Sequence, residues 1–223
     1  MSEYYSRDSR HAFIAKKFSN YLNESVLNIG GGGKKHLLKY IKPDKYTEID
    51  ISGNPDLLID LDSQHPIPFE DNHFETIICT EVLEHLEEFH RVFSELVRIS
   101  KKHIIISLPN AWRGFSALKK QIIYNGKDGR AGIDVGKYRK FYGLPLNKPL
   151  DRHRWFFSYS EAEEFFKLKS SELPYKIIEQ FPTGIGSNSL RSRLQKIIYK
   201  PFISSTVYKD WFYKTYWCVL EKK

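Results

Sequence analysis

A chain of 223 residues, 41% of them hydrophobic, has room for one sizeable α/β domain with a substantial core and needs no covalent staples. Its two cysteines, Cys79 and Cys218, stand far apart and outside any C-x-x-C pair, which excludes a disulfide framework and a zinc ribbon. The net charge of +8 is regional: residues 1–110 carry 13 basic and 17 acidic side chains, 111–155 carry 11 and 3, 156–186 carry 3 and 5, and 187–223 carry 8 and 2. Two concentrated basic segments point to surfaces that meet an anion. The polar start and the lack of any apolar run near the ~20 residues of a membrane helix predict a cytoplasmic protein without a transmembrane segment.

In chain order, short β-branched runs alternate with helical patterns, the signature of successive βαβ units and a mainly parallel sheet. Strands are expected at Ser25–Ile29, Tyr46–Ile51, Asp56–Asp60, Phe74–Cys79 and His103–Ser107. Between the last two, Val82, Leu83, Leu86, Phe89, Val92, Phe93, Leu96 and Val97 recur at spacings of three and four, predicting one long amphipathic helix. From Pro109 to about Trp155 the periodicity weakens among glycines, prolines, basic residues and aromatics, as in a lid or binding loop. Ser160 and Glu163 have capping-box spacing at the next helix start. A strand follows at Tyr175–Phe181. Leu190, Leu194, Ile197 and Ile198 then form the apolar face of a basic helix, and Tyr213–Leu220 is the last strand.

The stretch VLNIGGGGKKHLLKYI reads as strand, glycine turn, helix. Glycines let a chain turn tightly and bring backbone N–H groups against a ligand at a helix N-terminus. A P-loop would need Gly at 28 and Ser or Thr at 35, where Asn28 and Lys35 stand. The dinucleotide fingerprint fails at Lys35 or His36, depending on where it begins. What remains is a looser G-x-G turn followed by strand-end carboxylates: Asp50, placed to accept from ribose hydroxyls, and Asp60, placed to reach an adenine amino group.

VLNIGGGG, EIDIS and LIDLDSQHPIPFEDNHFETIICTEVLEHL, in that order, resemble the class I S-adenosylmethionine-dependent methyltransferases, in particular the small-molecule branch of ubiquinone biosynthesis. The resemblance spans roughly Val26 to Asn110. It implies a Rossmann-like α/β fold, a mainly parallel seven-stranded sheet with an antiparallel last strand and helices on both faces. A single methyltransferase domain would cover residues 1–223, with 111–157 as a basic substrate-side insertion or lid and 187–212 as a basic amphipathic accessory segment. S-adenosylmethionine would be the cofactor. Gly30, Gly31 and Gly32 would line its methionine and ribose portion, Asp50 and Ile51 the ribose, Asp60 and Leu61 the adenine, and Cys79, Thr80 and Glu81 the methionine side. Asn28 stands where the family usually has an acid; its amide can hydrogen-bond but cannot offset the cofactor's positive charge.

No N-P-P-Y motif of amino-methylating nucleic-acid enzymes follows the fourth strand, which disfavours an exocyclic amine and points to O-methylation. Glu81, Glu84 and His85 fall at i, i+3 and i+4 of the expected helix, on one face at the mouth of the sheet. They suit acid–base chemistry, with His85, Glu84 and His153 as the catalytic candidates, or a divalent cation such as Mg²⁺. The E-x-x-E-H pattern is similar to metal-binding residues of ubiquinone-biosynthesis O-methyltransferases and of small-RNA 2′-O-methyltransferases. The latter add a distant His, here His153, so the metal candidates are Glu81, Glu84, His85 and His153.

The insertion holds Arg113, Lys119, Lys120, Arg130, Lys137, Arg139, Lys140, Arg152 and Arg154 among Tyr124, Tyr138, Phe141 and Tyr142. That mixture suits an anionic small-molecule, sugar or lipid-linked acceptor, and, as the alternative, single-stranded RNA. The late basic helix would pack as part of a lid or lie on an anionic membrane surface. A non-catalytic cofactor-binding scaffold is the further alternative raised by Asn28.

Overall fold

Apolar runs rich in β-branched residues form strands buried on both faces at the centre of a seven-stranded sheet of order β3-β2-β1-β4-β5-β9-β8, whose outer strands β3 and β8 are more exposed. The seven strands are β1 (Ser25–Ile29), β2 (Lys45–Asp50), β3 (Leu57–Leu58), β4 (Phe74–Thr80), β5 (Ser100–Pro109), β8 (Tyr175–Thr183) and β9 (Thr215–Lys222). β1 to β5 pair in parallel, whereas β9 runs antiparallel to both its neighbours, β5 and β8. This is the expected Rossmann-like methyltransferase sheet. The computed structural model describes residues 6–112, 152–184, 194 and 197–223, together with the backbone of an antiparallel pair, β6 (Ile123–Asp128) and β7 (Ile133–Arg139). Arg113, Lys119, Lys120, Arg130, Lys140, Phe141, Tyr142 and most of the basic helix expected from Leu190 lie outside the described residues.

The side-chain alternation of the strands makes two cores. On one face Leu27, Ile29, Ile77, Cys79, Ile104, Ile106, Tyr216 and Cys218 pack against α2 (Phe89–Ile99) and α3 (Tyr159–Lys169). On the other, Val26, Ile78, Ile105, Trp217 and Val219 pack against α1 (Arg7–Lys17), which contributes Ile14, followed by Phe18. A fourth helix, α4 (Ser205–Phe212), falls within the segment expected to be accessory.

Four expectations are corrected. The glycine turn leads not into an α-helix but into a single 3-10 turn, His36–Lys39, because Lys35 is left-handed (φ 48°) and Pro43 closes the segment before β2. The helix expected over Val82–Val97 is broken: a 3-10 turn, Leu83–His85, is followed by Leu86 in extended conformation, and α2 begins only at Phe89. The segment read as aperiodic contains β6 and β7, signalled by Ile and Tyr, then Asp128-Gly129, then Ile, Val and Tyr. The cap of α3 is Ser158 with Glu161, whose side chain and backbone bond reciprocally; Ser160, at the same spacing from Glu163, donates instead to Asp210.

Among the described residues no helix is long and apolar enough to cross a membrane. Ile197, Ile198 and Phe202 are exposed, Phe202 at 80%.

α1 docks beside the glycine turn through His11, which is buried and stacked on His36 at 6.1 Å between centroids. Burial first, then the charges of Arg10, His36 and Arg7 against the opposing pull of Asp8, hold its pKa down to about 4 from the usual 6.5. His11 is therefore neutral in the fold, and its contribution is complete above pH 6.5. As pH falls from there towards 4 the unfolded chain binds the proton first and stability drops. Thermal unfolding across this window should show a shallower acid-side decline in His11→Gln than in the wild type; parallel profiles would refute this role for His11.

Candidate active site

The C-terminal ends of β1, β2 and β4 meet at the glycine turn, the edge where open α/β sheets bind ligands. Gly30, Gly32 and Gly33 have φ of 72°, 89° and 67°, values that favour glycine. Gly31 is required for a different reason: a Cβ there would lie 2.2 Å from Oε2 of Glu48.

Glu48 is fully buried beneath the turn, opposite Asn28 in the β1–β2 register. Its Oε2 accepts from the Asn28 amide (3.2 Å) and the Tyr46 hydroxyl (3.0 Å), and its Oε1 accepts from the Lys35 backbone N–H (3.3 Å). The Asn28 amide also donates to the Tyr46 oxygen at 2.9 Å. Burial, reinforced by the Glu48 charge, pushes the Tyr46 hydroxyl well above its ordinary pKa and keeps it a donor. The Asn28 amide is a neutral donor facing the Glu48 side chain. Asn28 therefore leaves a carboxylate in this region, carried by β2 instead of β1.

Asp50, two residues further along β2, is buried at the cleft. Its oxygens accept from the N–H of Gly32 (2.8 Å) and of Ser52 (3.1 Å), which fixes the carboxylate at the cleft. The cleft measures about 440 Å³, within the roughly 300–1,000 Å³ typical of small-molecule sites. Gly30, Gly32, Asp50, Thr80, Glu81, Glu84, His85 and His153 line it, joined by Ser52, Gly53, Arg7 and Arg10.

The other candidates lie elsewhere. Asn28 is buried under the turn and Ile51 is 41% exposed. Asp60 is exposed and accepts the Asp62 N–H in its own turn. Leu61 and Cys79 belong to the core, where burial raises the Cys79 thiol strongly.

Glu81 is not on a helix: it is left-handed (φ 54°), turning the chain out of β4, and its carboxylate pairs with Arg10 at 2.5 Å. Glu84 and His85 sit on the 3-10 turn that follows, the Glu84 side chain 1% exposed and its Oε1 3.7 Å from His85 Nε2. His153 reaches them from a strap that replaces the continuing helix. The Arg154 N–H donates to the Glu84 carbonyl (2.8 Å), Arg154 Nε to the His85 carbonyl (2.7 Å) and Trp155 Nε1 to the Leu86 carbonyl (2.6 Å). Three carbonyls that would have bonded within a helix are thus taken from 70 residues downstream. The rings of His85 and His153 meet edge-on at 4.6 Å, and one ligand atom from each of Glu84, His85 and His153 lies within 4.8 Å of the others. Arg154, expected to meet an anionic acceptor, also binds Glu87 at 2.8 Å.

Arg7 and Arg10 are absent from the expectations. Their signal was a stripe at spacings of three and four, Arg7, Arg10, Ile14, Phe18, charged at the cleft end and apolar behind.

A glycine turn beside a strand-end carboxylate, on a sheet of this order, is the arrangement the sequence led one to expect at a nucleoside-binding edge. Residues 27–106 match the methyltransferase domain family. Among curated protein sequences none matches the chain. A SAM-dependent methyltransferase from Archaeoglobus fulgidus is similar in fold, 16% identical, with 97% of this chain and 95% of that one covered and a TM-score of 0.54. Magnesium protoporphyrin IX methyltransferase from Synechocystis PCC 6803, solved with bound SAH, is 16% identical over 97% of this chain and 82% of that one, TM-score 0.50. The small RNA methyltransferase HEN1 is 11% identical, its match covering 100% of this chain but 26% of that one, TM-score 0.57. Residues 27–106 thus carry the sequence of a methyltransferase domain, and the chain shares the fold of S-adenosylmethionine-dependent methyltransferases. Its finer resemblance to the ubiquinone branch rests on sequence motifs alone.

Gly31→Ala should lower affinity for S-adenosylhomocysteine by more than about tenfold, the cost of displacing the turn from a buried carboxylate. Titration calorimetry giving wild-type affinity would contradict the close approach to Glu48.

Proposed function

We propose that the enzyme methylates a hydroxyl oxygen of a small or glycan-type anionic acceptor, docked at the Glu84–His85–His153 end of the cleft. The observation that carries this is the cluster itself: a carboxylate and two imidazoles drawn from distant segments and held at the cleft of a methyltransferase. The glycine turn fits the cofactor, since backbone fills the cradle where side chains would stand. Asp50 would hold the ribose hydroxyls, and Gly30, Gly32, Thr80 and Glu81 would flank the methionine portion. Once bound, S-adenosylmethionine supplies an electrophilic methyl group to an aligned oxygen lone pair.

The donor set also fits a divalent cation. Glu84, His85 and His153 would hold it, and imidazoles favour Mn²⁺ or a similar transition ion over the oxygen-seeking Mg²⁺ expected from the sequence. Glu81, paired with Arg10, lies outside this set. Such an ion supplies Lewis-acid polarisation of the acceptor hydroxyl. The strap residues Arg154 and Trp155 hold His153 in place beside the buried Glu84.

RNA 2′-O-methylation is the second reading, supported by the presence of His153 beside Glu84 and His85 and by the similarity in fold to a small RNA methyltransferase. For a lipid-linked acceptor, the exposed Ile197, Ile198 and Phe202 support peripheral contact with a membrane.

Methyl transfer from tritiated cofactor to anionic sugars and to short RNAs, with Mn²⁺ or with chelator, separates these readings. The proposal expects chelator-sensitive transfer to a sugar hydroxyl, and a fall of about a hundredfold or more in kcat for Glu84→Gln with cofactor affinity retained. Transfer indifferent to both chelation and Glu84→Gln, or methylation of nitrogen, would overturn it; preference for RNA with steep salt dependence would select the second reading.

A further inference from the structure

Two guanidinium groups enter the cleft from outside the sheet. Ser6 caps α1 immediately before Arg7, so Arg7 and Arg10 occupy its first turns, and the stripe they begin continues into the core at Ile14 and Phe18. That anchorage holds their side chains over the C-terminal edge of the strands. Arg7 Nη1 comes within 2.5 Å of where a Cβ on Gly32 would stand. Arg10, its side chain 12% exposed, pairs with Glu81 through Nη1, while its buried Nε has no hydrogen-bond partner among the described residues.

The other ionisable side chains at the cleft are three carboxylates, Asp50, Glu81 and Glu84, and the imidazoles of His85 and His153. A ligand bearing an ammonium and a sulfonium is matched by the carboxylates. Its one carboxylate is not. Nor does the backbone supply a helix dipole to receive it, because the glycine turn runs through left-handed Lys35 into a four-residue 3-10 turn. The planar fork of an arginine is the group that matches a carboxylate.

We propose that Arg7 and Arg10 form a clamp for the α-carboxylate of the cofactor's amino-acid end, so that α1 completes the cofactor site. The inference rests on the cofactor lying along the glycine turn, as proposed above. Glu81 holds Arg10 in position, and the cofactor's carboxylate occupies the remaining donors.

The test compares two thioethers that share a nucleoside: S-adenosylhomocysteine, which carries the amino-acid end, and 5′-methylthioadenosine, which lacks it. By titration calorimetry, Arg10→Ala should weaken S-adenosylhomocysteine by about tenfold and the Arg7→Ala/Arg10→Ala pair by about a hundredfold, while 5′-methylthioadenosine changes less than about twofold. Arg10→Lys, which keeps the charge and the length, should recover part of the loss. Parallel weakening of both ligands would make the arginines merely structural and overturn the clamp. So would unchanged S-adenosylhomocysteine affinity with a raised KM for an anionic acceptor, which would assign them to the acceptor. A wild-type chain that binds neither thioether would remove the cofactor placement itself; one that binds both, with an unaltered ratio in the variants, removes only the clamp.

Discussion

The Glu48 carboxyl group is the buried polar group around which the glycine turn is organised. It lies wholly inside the protein, and a polar group so placed is tolerated only when its lone pairs are met. Three donors meet them: the Asn28 amide, the Tyr46 hydroxyl and the Lys35 backbone. The Lys35 bond ties the far side of the glycine turn to β2, and the position of Glu48 leaves no room for a side chain on Gly31. One residue pair after this contact, the same strand delivers Asp50 to the cleft, where Gly32 and Ser52 hold its carboxylate. The turn and the cleft carboxylate of Asp50 are thus positioned by a single strand, and the amide at position 28 is the complement of the acid at position 48.

The second constraint is the strap. Glu84, His85 and Leu86 each give a backbone carbonyl to Arg154 or Trp155, and the helix that the local pattern favours gives way at that point. Breaking the helix costs its bonds but places His153 against His85 and Glu84. The left-handed Glu81 just upstream completes the departure from regular structure. Local strain and lost helix bonds are thus concentrated where the cleft needs unlike side chains to converge, a pattern common at functional sites.

The central strands β1, β4, β5 and β9 were legible because strands buried on both faces need apolar runs that few other elements tolerate. The glycine turn was legible for a related reason: its sequence pattern follows from local backbone needs. What escaped depended on partners far away in sequence. The break at Leu86 is set by donors some 70 residues later, which periodicity within a window cannot register. Ser158 and Ser160 both satisfied capping-box spacing, and the choice between them fell to Asp210, 50 residues on. Arg7 and Arg10 were masked by the polar composition of their helix, where a charged stripe looks like a solvated face.

The central claim is that the cofactor lies along the Glu48-supported glycine turn with its reactive end towards Glu84, His85 and His153. The measurement that meets it most directly is a crystal structure of the chain with S-adenosylhomocysteine. Ribose hydroxyls bonded to Asp50, with the thioether sulfur facing the His85–His153 pair, is the predicted result; a ligand seated away from the turn, or with its sulfur pointing away from that pair, would contradict it.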